Sequence, residues 1–199
     1  MNGLMDCMKS FTLLLSLLLL SASAQAVELT GLVGYDLNLM SNKPSNATNT
    51  KGGVVYGFSA RIDAGPGKLE AGFIYTPLSI TVATPFIGDE KSSGSYWLLP
   101  VLYRFEFLPP FFSFGIGPDY AFVGSNTLST TQGNFSTSAF SNNLGAEASL
   151  QGAQDVGENL SIVLDIRYRM GLQDSISFNG VPSKFNFLMF AFGLQKRLE

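Results

Sequence analysis

Histidine is absent from the 199 residues. That removes Ser-His and Asp-His hydrolytic centres and histidine-ligated metals at a stroke. Cysteine occurs once, as Cys7, ahead of the only continuous apolar run, so no disulfide can form and no zinc-thiolate site can be assembled. Charged residues make up only 14% of the chain against 46% hydrophobic, which is too apolar for disorder. No lysine or arginine cluster exists and the net charge is −3, so nucleic acid is not an expected partner. Beyond residue 26 no segment approaches the roughly 18 unbroken apolar residues of a membrane-spanning helix. Any bilayer crossing must therefore be made by strands.

The apolar run, Phe11 to Leu20, comes after Lys9 and leads into Ala22-Ser23-Ala24-Gln25-Ala26. A basic, then greasy, then small-residue order is that of a secretory signal, with cleavage expected after Ala26. Residues 1–26 are read as a cleaved signal peptide and 27–199 as one domain. Met8-Lys9 would open a more conventional signal than Met1, because Asp6 offsets the positive end, and Met8 is the expected start. Cys7 precedes the greasy run, so the cysteine of a lipoprotein, which would come after it, is missing.

Beyond Ala26 the chain has a period of two. Eight alternating segments are bounded by Gly, Pro, Asn or Ser clusters. The first sets Leu29, Val33, Tyr35, Leu37 and Leu39 against Thr30, Asp36 and Asn38. The second sets Tyr56, Phe58 and Ile62 against Ser59, Arg61 and Asp63, and the third Leu69, Phe73 and Tyr75 against Glu70 and Thr76. The fourth and fifth are the longest and most aromatic: Trp97, Tyr103, Phe105 and Phe107 oppose Arg104 and Glu106, and Phe112, Phe114, Tyr120 and Phe122 oppose Ser113 and Asp119. In the sixth, Leu144 and Leu150 oppose Glu147. In the seventh, Leu160 to Met170 oppose Asp165, Arg167 and Arg169. The eighth, Phe185 to Leu198, places Phe190, Phe192 and Leu194 on one face with Gln195 and Arg197 on the other.

Connections alternate in length. Ala64-Gly65-Pro66-Gly67, Leu108-Pro109-Pro110 and the turn near Asp155 to Glu158 are tight, while polar stretches near 41–51, 82–91, 123–141 and 173–184 are longer. Short turns on one side and long loops on the other are expected of a transmembrane barrel with both ends on the periplasmic side. The fold class expected is all-β: an eight-stranded, antiparallel, up-and-down transmembrane β-barrel, closed so that no edge is left open.

Alternation alone leaves open which face points out, since a soluble lipocalin-like barrel is greasy inside with the same period. The charges decide. Asp36, Asp63, Glu70, Glu106, Asp119, Glu147 and Asp165, with Arg61, Arg104, Arg167, Arg169 and Arg197, all fall on the polar side of their segments, whereas the lysines sit in loops, turns or near an end. Arginine's planar fork suits enclosed ion pairs and lysine prefers full hydration, so the polar side is read as the lumen. Tyr75, Trp97, Tyr120 and Phe122 at the outer strand ends, and Phe105, Phe107, Phe112 and Phe114 near a periplasmic turn, are placed as interfacial girdles. Pro100, in mid-strand, is expected to mark a bulge.

The stretch Tyr96 to Phe107, with Leu99-Pro100-Val101-Leu102-Tyr103-Arg104-Phe105, and the Gly115-Ile116-Gly117-Pro118-Asp119-Tyr120 segment after a short turn, resemble the small outer-membrane β-barrel superfamily of porin-family, OmpA-like eight-stranded barrels. The resemblance implies a Gram-negative outer membrane, outer-membrane lipid and the barrel assembly machinery as partners, and a monomer. It departs from the pattern at the end, where Arg197-Leu198-Glu199 replaces the usual final aromatic residue. No cofactor is implied: Gly115 and Gly117 lead into no helix that could receive a pyrophosphate. Asp89-Glu90 reads as a solvated loop tip. Three functions remain open. The first is a non-enzymatic structural barrel whose lumen is plugged by ion pairs; the second is a narrow passive pore lined by the same residues; the third is a soluble periplasmic binder of an apolar ligand.

Overall fold

The computed structural model describes residues 26–39, 41, 47–84, 88–108, 111–130, 133–136, 140–178 and 181–198. The export segment up to residue 25, with Cys7 and Met8, and the Pro109-Pro110 turn lie outside the described residues, as do the side chains from Val82 to Glu90. Among the described residues no helix is long and apolar enough to cross a membrane.

Among the described residues twelve strands occur in chain order: β1 (Val27–Asn38), β2 (Ala47–Lys51), β3 (Val54–Ala64), β4 (Gly67–Thr84), β5 (Gly88–Leu108), β6 (Phe112–Thr130), β7 (Gly133–Ser136), β8 (Asn143–Gly157), β9 (Leu160–Gly171), β10 (Ile176–Phe178), β11 (Val181–Ser183) and β12 (Phe187–Leu198). Eight of them, β1, β3, β4, β5, β6, β8, β9 and β12, pair antiparallel with their chain neighbours. Pairing of β1 with β12, from Val27 opposite Leu198 to Asn38 opposite Phe187, closes the ring. The eight strands are the eight alternating segments of the sequence. Their lengths, from 11 residues in β3 to 21 in β5, meet the roughly 9–11 that a tilted strand needs to cross a bilayer.

The tight turns come from local chemistry. Gly65 takes φ +64° at the first central position of the two-residue β3–β4 hairpin, with Pro66 second, a combination that continues the strand twist. Between β8 and β9 it is the second turn residue, Asn159, that takes positive φ, at 60°.

The expectations for the four long connections and for Pro100 are corrected. Of the stretch 82–91, residues 82–84 and 88–91 are strand and not loop: β4 and β5 stay paired out to Thr84 opposite Gly88. Likewise β6 continues to Thr130 and turns back into β7, β2 adds to β4, and β10 pairs with β11. Polar Ser, Thr and Gly residues hold a ladder as well as apolar ones once the strand needs no greasy face. Pro100 marks no bulge either, because the β4–β5 and β5–β6 registers are the same on both sides of it. Gly72 sits against its ring, 3.3 Å from where a Cβ would stand, and makes the room. The register slips instead beyond Ser95, where Gly124 is the extra residue in β6, and again near Leu108.

Candidate functional site

Along every barrel strand one set of side chains is enclosed and the other exposed. Leu29, Val33 and Tyr35 of β1, Phe58 of β3, Ile116 of β6 and Phe192 of β12 are exposed and apolar, while four of the five arginines and six carboxylates are buried. A continuous apolar exterior over charged contents is unfavourable in water and favourable in lipid. The soluble-binder alternative fails on this geometry, since it requires the greasy face inside.

The lumen is layered. Its middle holds four arginines, Arg61, Arg104, Arg167 and Arg169, and four carboxylates, Glu70, Asp119, Glu147 and Asp165, none more than 4% exposed. Glu70 is the hub. It accepts from Arg61 Nε at 2.6 Å, from Arg104 Nε, and from Arg167 Nη2 at 2.7 Å. Arg167 also donates to Asp165 at 2.7 Å and to Glu147 at 2.9 Å. Ser149 bridges, accepting from Arg104 at 2.8 Å and donating to Asp165 at 2.6 Å. Arg169 pairs with Asp119 at 2.7 Å and donates to Asn143 at 2.7 Å. Four cations against four anions leave the layer neutral, the condition under which buried charge is tolerable. Gly115 and Gly145 supply the space: a Cβ on Gly115 would stand 3.1 Å from the Arg104 chain, and one on Gly145 2.6 Å from Arg169.

Toward the outer end the contents turn apolar. Tyr96 stacks on Phe185 at 4.8 Å and meets Phe140 edge-on at 6.1 Å, with Leu78, Ile80, Leu98 and Phe187 buried around them. The Tyr96 hydroxyl donates to the Ser175 carbonyl at 3.0 Å, tying the β9–β12 connection across the mouth. Arg169 joins the two layers, lying 5.3 Å from the Phe185 ring centre and donating to its carbonyl at 2.7 Å. At this level Asp36 has only neutral partners, Thr76 and the Gly53 amide, each at 2.5 Å.

At the end that carries Val27, Leu198 and the tight turns lies an open vestibule of about 310 Å³. Lys68 crosses it, 2.5 Å from Glu28 and 2.8 Å from Glu106, and Gln195 donates to Glu28 at 2.9 Å. Arg61 forms its floor, donating to Gln151 at 2.6 Å.

Of the twelve charged residues expected in the lumen, Arg61, Glu70, Arg104, Asp119, Glu147, Asp165, Arg167 and Arg169 meet in the neutral layer and Asp36 sits above it. Glu106 and Arg197 stand at the rim, Arg197 half-exposed and 3.5 Å from Glu28. Asp63 is exposed at the strand end. Lys68, read as a turn residue, points inward instead, and Glu28 was missed with it; the inward parity of β1 carried the signal for Glu28. The outer-end aromatics all face out. Tyr75 and Trp97 touch at 5.0 Å, and Phe73, absent from the expected girdle, stacks on Trp97 at 4.6 Å and lies 5.9 Å from Phe122, while Tyr120 stands half-buried beside them. At the other end Phe107 and Phe112 stack at 6.1 Å and Phe105 and Phe114 are exposed.

No family model matches the chain, and no curated protein matches it in sequence. Solved structures do match. A major outer membrane protein from Thermus thermophilus superposes with a TM-score of 0.50 at 13% identity, over 86% of this chain and 99% of that one. The fold is that of an outer-membrane β-barrel. OprG from Pseudomonas aeruginosa aligns at 12% identity and a TM-score of 0.48, over 88% of this chain and 96% of that one. Ail, the attachment invasion locus protein of Yersinia pestis, aligns at 10% and 0.46, over 87% and 99%. Within this outer-membrane barrel fold, the enclosed surface is charged in its middle, apolar at one end and hollow at the other.

Proposed function

We propose that the chain is a monomeric, non-enzymatic barrel of a Gram-negative outer membrane, exported by its signal segment, inserted by the barrel assembly machinery, and structural in role, with a lumen that does not conduct. One observation carries this reading: the neutral layer centred on Glu70, whose eight charged side chains are all buried. An ion crossing the layer would have to break several of these pairs at once, and eight-stranded barrels have interiors just wide enough for side chains to fill. The apolar packing around Tyr96 is a second seal of opposite chemistry.

The narrow-pore reading has the vestibule in its favour, together with buried polar atoms that lack a protein partner, among them Arg61 Nη2 and Glu147 Oε2. Water inside the layer would satisfy them. Planar-bilayer recording of the purified full chain separates the two readings. A silent bilayer containing folded protein is expected; steady, reproducible unitary conductance would overturn the structural reading.

A further inference from the structure

The β4–β5–β6 wall stands taller than the rest of the ring, with strands of 18, 21 and 19 residues against 11 to 15 in the other five. Its outward face changes character at one level. Below it are the rings of Phe73, Tyr75, Trp97 and Phe122. Above Tyr75 the outward positions of β4 become Pro77, Ser79 and Thr81, while Leu78 and Ile80 between them stay buried on the inner face. The neighbours do the same, with Ser93 and Lys91 of β5 opposite Ser79 and Thr81, and Thr127 of β6 opposite Ser93. On the other side β2 brings Lys51 opposite Ser79. Ser79 and Ser93 hydroxyls lie 3.5 Å apart, while the Ser95 hydroxyl, 2.9 Å from that of Ser125, is buried and lies outside the exposed face.

This face therefore presents hydroxyls and two exposed lysines, and the next outward position of β5, opposite Ala83, is Asp89, whose side chain lies outside the described residues. Lys51 and Lys91 flank β4, with Cα atoms about 12 Å apart by the spacing of strands and residues in a sheet. Both ammonium groups can reach one bound group between them. Directly beneath, the aromatic belt continues the same surface into the hydrocarbon.

We infer that this face seats the phosphate-bearing headgroup of an outer-leaflet lipid, with its acyl chains lying on Tyr75 and Trp97. The inference rests on the membrane reading above. Charge complementarity selects the phosphate, the hydroxyl rows offer donors and acceptors to the remainder of a polar headgroup, and continuity with the belt selects a lipid over a free anion. A lysine near a membrane surface is worth about 1 kcal/mol toward anionic lipid, so the pair corresponds to a preference of about thirtyfold over a zwitterionic lipid.

Trp97 is the only tryptophan in the chain and reports on the site directly. The full chain is refolded into phosphatidylcholine vesicles containing a small fraction of acyl-brominated lipid, either phosphatidylglycerol or phosphatidylcholine, and quenching of Trp97 is read. Brominated phosphatidylglycerol is expected to quench at about thirtyfold lower mole fraction. In Lys51→Gln/Lys91→Gln the preference falls close to one, while Lys196→Gln at the opposite end leaves it unchanged. Equal quenching by both lipids in the unaltered protein, survival of the preference in the double variant, or equal loss in Lys196→Gln would each overturn the inference. Millimolar inorganic phosphate is expected to leave quenching unchanged; abolition of the preference would mean that the face takes free phosphate, which also overturns it. Absence of quenching by either lipid would defeat the membrane reading itself, a result distinct from quenching without preference.

Discussion

Replacing Glu70 by glutamine is the sharpest test of the neutral layer. The substitution is isosteric and keeps one acceptor oxygen, but it removes the anion on which three guanidinium groups converge. Arg167 retains Asp165 and Glu147, and Arg104 retains Ser149 and Asp165 at 3.5 Å. Arg61 loses its only carboxylate and keeps the Gln151 and Gln195 oxygens. The layer moves from neutral to a buried excess of one positive charge. Removing one partner of a buried pair costs about 3–5 kcal/mol, and because only Arg61 is fully orphaned the lower end, about 3 kcal/mol, applies. With a urea slope of roughly 1–3 kcal/mol/M, the unfolding midpoint in detergent micelles should fall by roughly 1–3 M. Adding Arg61→Gln restores the charge balance, and the cycle should show about 1–3 kcal/mol of coupling. A midpoint drop below about 0.3 M with no coupling would refute the reasoning, because it would mean that water screens these charges and the lumen is wet.

Other substitutions probe the remaining parts. Asp36→Asn should change stability by less than about 1 kcal/mol, since the amide oxygen can still accept from the Gly53 N–H while the new NH2 donates to the Thr76 hydroxyl, which turns from donor to acceptor; a loss as large as that of Glu70→Gln would contradict this. Phe185→Ala should lower stability by about 3–5 kcal/mol yet leave planar bilayers silent, because Arg169 loses the ring beside it but every ion pair of the charged layer keeps its partners; conductance from this single change would refute two seals in series. Gly117→Ala should prevent refolding into micelles, since its Cβ would collide with the Val101 carbonyl in the adjoining strand, whereas Gly31→Ala, with nothing within 4 Å, should be neutral or mildly stabilising. Refolding yields that do not separate these two glycines would count against the described register.

The ring itself was legible from parity. Asp165, Arg167 and Arg169 alternate against Leu164, Ile166 and Tyr168 without a slip, and the same period locates the alternating part of every barrel strand, though not the far ends of β4, β5 and β6. The tall wall was not legible, because Ser79, Thr81, Ser93 and Thr127 carry no apolar contrast and read as loop; their pairing is dictated by strands already aligned below them. Pro100 misled for a related reason: its effect depends on Gly72, a neighbour that sequence separates from it by 28 positions. Lys68 misled because its identity suggested solvent, while the strand phase of Glu70 two residues later already placed it inside. The Tyr96–Phe185–Phe140 cluster joins residues from three separate connections and strands, which no local pattern could assemble.

The Glu70 hub has a consequence for how such a chain can mature. Its partners lie on β3, β5 and β9, and Arg167 reaches it from 97 positions away in the chain. A hairpin of β3 and β4 alone satisfies Arg61 and leaves the other two guanidinium groups without their shared anion. An open half-ring would expose Arg104, Arg167 and Arg169 without their full complement of carboxylates, and a bilayer rejects bare guanidinium groups. Arg167 meets Glu70 only when β9 is brought across the ring to β4, so the hub is completed by curling the sheet and not by pairing neighbouring strands. Curvature of the sheet and electroneutrality of its contents therefore advance together.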